Sequence, residues 1–433
     1  MKIEELYKLY IENGSVSTDS RKFVQGSIFF ALKGENFDGN RFALEALNKG
    51  CSYAVVDDPG LQSHERLLHF PDVLDTLQKL ATYHRNQLNI PFIAITGSNG
   101  KTTTKELIAS ILRRKYKVCA TQGNLNNHIG VPLTVLSVNS HEIAIIEMGA
   151  NHIGEIAALC EIAKPDFGII TNIGKAHLEG FGSLEGVVKT KTELFDHLAL
   201  HKSTVFVDGG NPLLCNLAKE KKLDSVFYGN SPESICSGEI TGNNNFICAR
   251  IQLSGQRTML DIQSSLVGDY NLNNMLAAAC IGYYFGVKPD EIGIALTDYA
   301  PSNSRSQLMI TLKNKIVFDA YNANPSSMEG SITNFFSLNE EFPKMIILGD
   351  MLELGKYSRS EHLAIIELLK KKQLVKIFLV GDEFCAVSEG TSLTCFAKVE
   401  ALIEYFRSNP VKDHSILLKG SRGIKLEKLL EVL

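Results

Sequence analysis

The stretch PFIAITGSNGKTTTKE, residues 91–106, brings together residue types that bind phosphate. Gly97, Ser98, Asn99 and Gly100 are followed at once by Lys101, Thr102 and Thr103. The apolar, β-branched run 92–96 between Pro91 and Gly97 has the pattern of a buried parallel strand. Residues 101–115 have helical composition, so the glycine turn sits on a helix N-terminus. Unpaired N–H groups and the positive end of the helix dipole favour an anion there, and glycines let the backbone come close to it. Lys101 adds a fixed charge for the β- and γ-phosphates, and the hydroxyl of Thr102 or Thr103 can ligate Mg²⁺. We read a phosphate-binding loop of a short form, GxxGKTT, because the general GxxxxGK[ST] would need a glycine where Ile95 stands. The plain alternative is a glycine turn with a solvated lysine. The joint presence of strand, glycines, Lys and Thr argues against it.

Further candidates lie at the ends of later apolar runs. Residues 143–146 form a second strand ending in Glu147, and an acid at such a tip beside a phosphate loop is where Mg²⁺ is held in nucleotide enzymes. A third run, 167–171, places Asn172 and His177 on the same rim. On the predicted helix 184–200, Lys189 and Lys191 read by pattern alone as solvated lysines. An alanine-rich helix over 271–285 carries Asn274 near its start.

These residues need a layered scaffold to bring them together. At 433 residues the chain has material for two or three domains, and strands alternating with helices predict α/β architecture. We expect a small N-terminal α/β unit over 1–89, with strands at 27–32 and 52–57 and a helix over 72–88. Its polar loops contain Thr18, Asp19, Ser20, Arg21, Ser27, Lys33, Gly34, Phe37, Asp38 and Gly39, read as a polar-ligand site or as ordinary turns. A central parallel-sheet domain over 90–303 follows, with an antiparallel patch near 235–266. The last domain, 304–433, begins after a linker at 301–305 and reads as doubly wound. Its strands are expected at 316–318, 345–348, 377–380 and 416–418, each followed by a helix. No GxGxxG follows its first strand, so it lacks a dinucleotide fingerprint.

A net charge of -4 gives no invitation to nucleic acid, and no apolar run reaches membrane-spanning length. Nine cysteines without CxxC spacing suggest free thiols in a reducing compartment. The N-terminal helix contains acids, unlike a signal peptide, so a cytoplasmic location is expected.

With these motifs assembled, the chain resembles the Mur ligases of peptidoglycan precursor synthesis. TGSNGKTT, the Glu147 strand end, AHLEGFG and the helix holding Lys191 carry the general resemblance. GNLNNHIGVPLT, EMGANHIGEI, DAYNANPSSM, LGDMLELG and LLKGSRG carry a narrower one, and DSRKFVQGSIFFALKG resembles the family's uridine-nucleotide domain. The resemblance implies ATP and Mg²⁺ as cofactors and an acyl-phosphate mechanism. It also implies, as substrates, UDP-N-acetylmuramoyl-tripeptide and the amine of D-alanyl-D-alanine.

Under that resemblance Lys101 binds phosphates, while Thr102, Glu147, His177 and a CO₂-derived carbamate on Lys191 hold the metal; Lys189 is the neighbouring rival. Asn274 would contact adenine, Arg305 ribose and phosphate, and Asp319 ribose, with Tyr321 stacking on the base. Asn126 and Asn127 would meet the muramoyl-peptide, Ser27 the uridine nucleotide, and Lys419, Ser421 and Arg422 the dipeptide carboxylate. The family's GxHNxxN appears here with Tyr270 in place of His, which leaves any role of that side chain open. A monomer with a mobile last domain is expected. Two rival readings are a relative that adds a single amino acid and, in a different class, a nucleotide-dependent switch protein.

Overall fold

The computed structural model describes residues 1–62, 64–244, 246–257, 259–301, 307–338, 342–371 and 376–433. Three main sheets, of four, nine and six strands, each carry helices. The first contains Val16–Ser17, Ile28–Phe30, Tyr53–Val56 and Leu67–His69 in that order, all parallel. Its two outer strands are too short to leave a periodic signal in sequence and were not expected.

In the nine-stranded sheet, Phe92–Thr96 lies between Phe167–Ile170 and Ile143–Glu147, parallel to both. All three strands are almost fully apolar and buried, as a sheet covered on both faces requires. The register sets Ile95 opposite Glu147 and Thr96 opposite Ile170. Glu147, the 172–177 loop and the phosphate loop therefore leave the sheet side by side, on the rim where open α/β sheets bind ligands. The expected antiparallel patch is present as Ser234–Asn244, Phe246–Leu253 and Leu260–Gln263 at the opposite edge. Behind the loop, the helix Lys101–Leu112 buries Leu107, Ile108, Ile111 and Leu112 in a core shared with Asn271–Tyr284.

The six-stranded sheet runs Gln307–Ile310, Lys315–Asp319, Ser415–Lys419, Lys344–Gly349, Lys376–Val380 and Thr394–Phe396. Every neighbouring pair is parallel except the first, an unforeseen antiparallel edge. Two other expectations are corrected. The last strand is followed by short 3₁₀ turns, Arg422–Ile424 and Leu426–Glu431, not by an α-helix. Cys385, on the helix Asp382–Ser388, is disulfide-bonded to Cys395, on the adjacent strand Thr394–Phe396, where free thiols were expected. Packing of helix on strand makes that pair, and a separation of 10 residues does not announce it. The other seven cysteines are free thiols. Among the described residues no helix is long and apolar enough to cross a membrane.

Candidate active site

The phosphate loop depends on two glycines that no other residue can replace without strain. Gly97 has φ +143°, and a Cβ there would stand 2.0 Å from Thr171 Oγ1. Gly100 has φ +79°, and its Cβ would meet Asn274 Oδ1 at 2.6 Å. These conformations are open to glycine, and they bring the loop against the third strand and the Asn274 helix. The loop is then pinned by its own side chains. Ser98 Oγ donates to Gly174 O at 2.9 Å, and Asn99 N donates to Asn172 Oδ1 at 3.0 Å. Lys101 is half-buried and folds back to donate to Gly97 O at 2.6 Å, so its ammonium lies over the loop where phosphate oxygens would sit.

Glu147 is 1% exposed. Its Oε1 accepts from Thr102 Oγ1 at 3.1 Å and from Asn126 Nδ2 at 2.8 Å, and its N–H donates to Thr121 Oγ1. Its Oε2 is buried with no hydrogen-bond partner, and Lys105 Nζ lies 3.8 Å away. A buried carboxylate oxygen without a donor is costly unless a cation completes it. The hydroxyl of Thr102 and this carboxylate are hard oxygen donors of the kind Mg²⁺ accepts, and the imidazole of His177 lines the same cleft as Glu147. Among the described residues no three His, Cys, Asp or Glu converge as a self-sufficient metal cage. Mg²⁺ in nucleotide enzymes is held by one or two protein carboxylates together with substrate phosphates, so these residues fit it.

Lys191 is only 1% exposed, on the helix Leu184–Leu200, with Nζ 5.3 Å from the centre of the Phe181 ring. Burial, with the Lys101 ammonium adding to it, pushes its amine down to about 7. A neutral amine is the form that adds CO₂, so Lys191 fits the carbamate reading, whereas Lys189 is exposed.

A cleft of about 680 Å³ opens between the two larger sheets. From the central side it is lined by Ser98, Asn99, Gly100, Lys101 and Thr103, and by Asn126, Asn127, Glu147, His177, Tyr270 and Asn274. From the last sheet come Asp319, Tyr321, Lys419 and Arg422. Asn274 is held by Thr104 and Asn271, through Thr104 Oγ1 at 3.1 Å and Asn271 Oδ1 at 2.7 Å. Asn127 caps the turn into the helix Gly130–Leu136, accepting from Gly130 N at 2.9 Å. Gly97, Thr102, Lys191 and Ser421 are buried and do not line the cleft.

Three assignments look different in three dimensions. Asp319 and Lys419, expected at separate ligands, are register neighbours, and Lys419 Nζ donates to Asp319 Oδ2 at 2.6 Å. Ser421 Oγ accepts from Leu352 N at 3.0 Å, which ties it to the 350–353 loop. Ser27 is fully buried; its Oγ donates to Val24 O at 2.7 Å, so it belongs to a turn of the N-terminal unit and not to the cleft. Arg305 and the junction at 303–304 lie outside the described residues.

Sequence reasoning missed the residues that join the two sheets. Asn324 Nδ2 donates to Asn99 Oδ1 at 2.8 Å, Lys175 pairs with Glu361 at 2.7 Å, and His177 pairs with Glu353. The motifs YNANP and LGDMLELG contain two of these residues, but nothing in them says which side chain faces the other domain.

Comparison with known proteins gives one consistent answer. Residues 14–85 match the Mur ligase family catalytic domain, 95–282 the Mur ligase middle domain, and 304–422 the Mur ligase glutamate ligase domain. The chain is 33% identical to UDP-N-acetylmuramoyl-tripeptide--D-alanyl-D-alanine ligase from Bacillus subtilis, over 96% of this chain and 92% of that one. MurF from Acinetobacter baumannii superposes with a TM-score of 0.86 at 31% identity, covering 96% of this chain and 92% of its own. MurF from Thermotoga maritima, solved with ADP, gives 0.83 at 27% identity and 96% of each chain. With all three family models matched in order and a near full-length relative at 33% identity, the chain belongs to the Mur ligase family.

Proposed function

We propose that this chain joins D-alanyl-D-alanine to UDP-N-acetylmuramoyl-tripeptide with ATP, giving the UDP-N-acetylmuramoyl-pentapeptide, ADP and phosphate. The observation that carries the reading is the cleft that Lys101, Glu147 and Asp319 line together. The near full-length likeness to ligases named for this reaction supports it. The terminal carboxylate of the tripeptide attacks the γ-phosphorus of ATP. The bond to the bridging oxygen breaks, ADP leaves, and an acyl phosphate remains. The neutral amine of the dipeptide then attacks the acyl carbon, phosphate departs with the bonding electrons, and the nitrogen loses its proton.

A carboxylate is a poor acceptor of nucleophiles, and phosphorylation supplies the leaving group it lacks. The loop of Gly97, Ser98, Asn99 and Gly100 at the head of the Lys101 helix receives the phosphates, and the Lys101 ammonium stabilises charge on the transferred group. Thr102, Glu147, His177 and a carbamate on Lys191 hold Mg²⁺, which when bound neutralises the two anions brought together. A free Lys191 ammonium would repel that cation, and its depressed basicity favours CO₂ addition at neutral pH. Asn274 meets the adenine, Asp319 and Arg305 the ribose and phosphate, and Tyr321 the base. Asn126 and Asn127 face the muramoyl-peptide, and Arg422, with Lys419 and Ser421 behind it, faces the dipeptide carboxylate. Units dividing at 1–89, 90–303 and 304–433 and acting as a monomer in the cytoplasm complete the reading. Closure of the last unit excludes water from the acyl phosphate.

Phosphate release with ATP and Mg²⁺ tests it. The expected result is release that requires both the UDP-muramoyl-tripeptide and D-alanyl-D-alanine. Release driven by a single amino acid would assign another ligase of the family, and nucleotide binding without stimulated turnover would assign a switch.

A further inference from the structure

Two residues without glycine's freedom face each other across the cleft in left-handed backbone conformation, His177 at φ 50° and Glu353 at φ 63°. Such backbone persists only where surrounding contacts hold it, and it concentrates at functional positions. Here the contacts are specific. Glu353 O accepts from Glu179 N at 3.1 Å, and Tyr357 OH donates to Gly182 O at 3.0 Å. The Glu353 carboxylate lies directly against Nδ1 of His177. The 350–353 loop is itself braced, since Met351 N donates to the fully buried His362 Nε2 and Leu352 N to Ser421 Oγ.

We propose that Glu353 is a positioning residue for His177, presented by the last domain to a side chain of the central one. A carboxylate on one ring nitrogen fixes the tautomer and turns the opposite lone pair toward a cation. With Nδ1 facing Glu353, Nε2 is the nitrogen left to ligate. Because the two residues belong to different domains, the ligand is oriented only when the domains are together. Closure and cation binding are thereby linked through one contact. This inference rests on the reading of His177 as a cation ligand.

The test is Mn²⁺ binding to the full-length, ADP-bound protein, followed by the spin resonance of free Mn²⁺. Glu353→Ala is expected to lower Mn²⁺ affinity about tenfold or more. Glu353→Gln, which preserves shape and an acceptor oxygen, is expected to lower it less. Neither should add to the loss caused by His177→Ala. Glu361→Gln removes a different interdomain ion pair and is expected to leave the affinity within about twofold. Unchanged affinity in Glu353→Ala beside a loss in His177→Ala overturns the positioning role while leaving His177 a ligand. Equal losses in Glu353→Ala and Glu361→Gln also overturn it, because domain contact alone would then account for the effect. No loss in His177→Ala overturns the reading of His177 and this inference with it.

Discussion

The strands that point at the cleft end at Thr96, Glu147 and Ile170 in the central sheet, and at Asp319, Gly349 and Lys419 in the last one. Both are open, mainly parallel sheets obeying the same placement rule. At the central rim, part of the polar capacity is left over: Glu147 Oε2 accepts no hydrogen bond, with the Lys105 ammonium 3.8 Å away, and Lys101 lies over a glycine turn at a helix N-terminus. At the other rim, capacity is spent internally. Asp319 is bound by Lys419 and by Ser331 Oγ, and Asp350 accepts from Glu383 N and Phe384 N at the start of the next helix. One rim is built for charge brought by a ligand, and the other is built as a rigid wall whose groups reach a ligand only in part.

The sharpest way to break that contrast is to remove charge at the central rim. Lys101→Ala and Lys191→Ala are each expected to lower kcat about 10³-fold, with partial rescue of Lys191→Ala by a small carboxylate. Full activity in Lys191→Ala would take that residue out of the site. At the other rim the expected damage falls on stability. Lys419→Met removes the ammonium that faces the Asp319 carboxylate and is expected to cost about 3 kcal/mol in denaturant unfolding. Lys419→Met with Asp319→Asn should cost less than Lys419→Met alone. If both rims respond through kcat only, the contrast is wrong.

Gly100→Ala sharpens the point within the loop. Its φ of +79° and the 2.6 Å approach to Asn274 predict a loss of about 2 kcal/mol and a raised KM for ATP. Unchanged ATP kinetics would separate the Asn274 helix from nucleotide binding.

The pH dependence follows from Lys191. Its amine is depressed to about 7, so the neutral form dominates above that pH and the ammonium below it. Restoration of activity to CO₂-depleted enzyme at a fixed concentration of dissolved CO₂ should therefore speed up by roughly tenfold per pH unit below 7 and level off above it. A rate that keeps rising to pH 9 would show an ordinary exposed lysine. The smallest effect is expected of Glu361→Gln, where half of the Lys175 side chain is exposed. Its measured cost in unfolding should stay below about 1 kcal/mol.

Legibility in the sequence differed between the same two rims. Lys101, Glu147 and Asn274 could be named because local grammar specifies them: a glycine turn before a helix, an acid ending an apolar run, an amide opening a helix. Lys191 could not be read this way. Its helix has polar neighbours, and only packing against Phe181 and its neighbours shows that the amine is dry. Glu353, Asn324 and Glu361 were missed because they answer side chains more than 150 residues away in the chain. Ser27, expected at the uridine nucleotide, is buried with its hydroxyl donating to Val24 O, which a polar residue type in the sequence does not show.

The sequence by itself determined the buried parallel strands nearest the cleft, the glycine turn before the Lys101 helix and the family, since such strands and turns are written in short, contiguous patterns. Tertiary structure alone decided that Asp319 binds Lys419, that Cys385 binds Cys395 and that His177 meets Glu353. Each of those pairs depends on register or domain contact, and the energy of burying a charge or closing a contact is set by the neighbour that folding supplies.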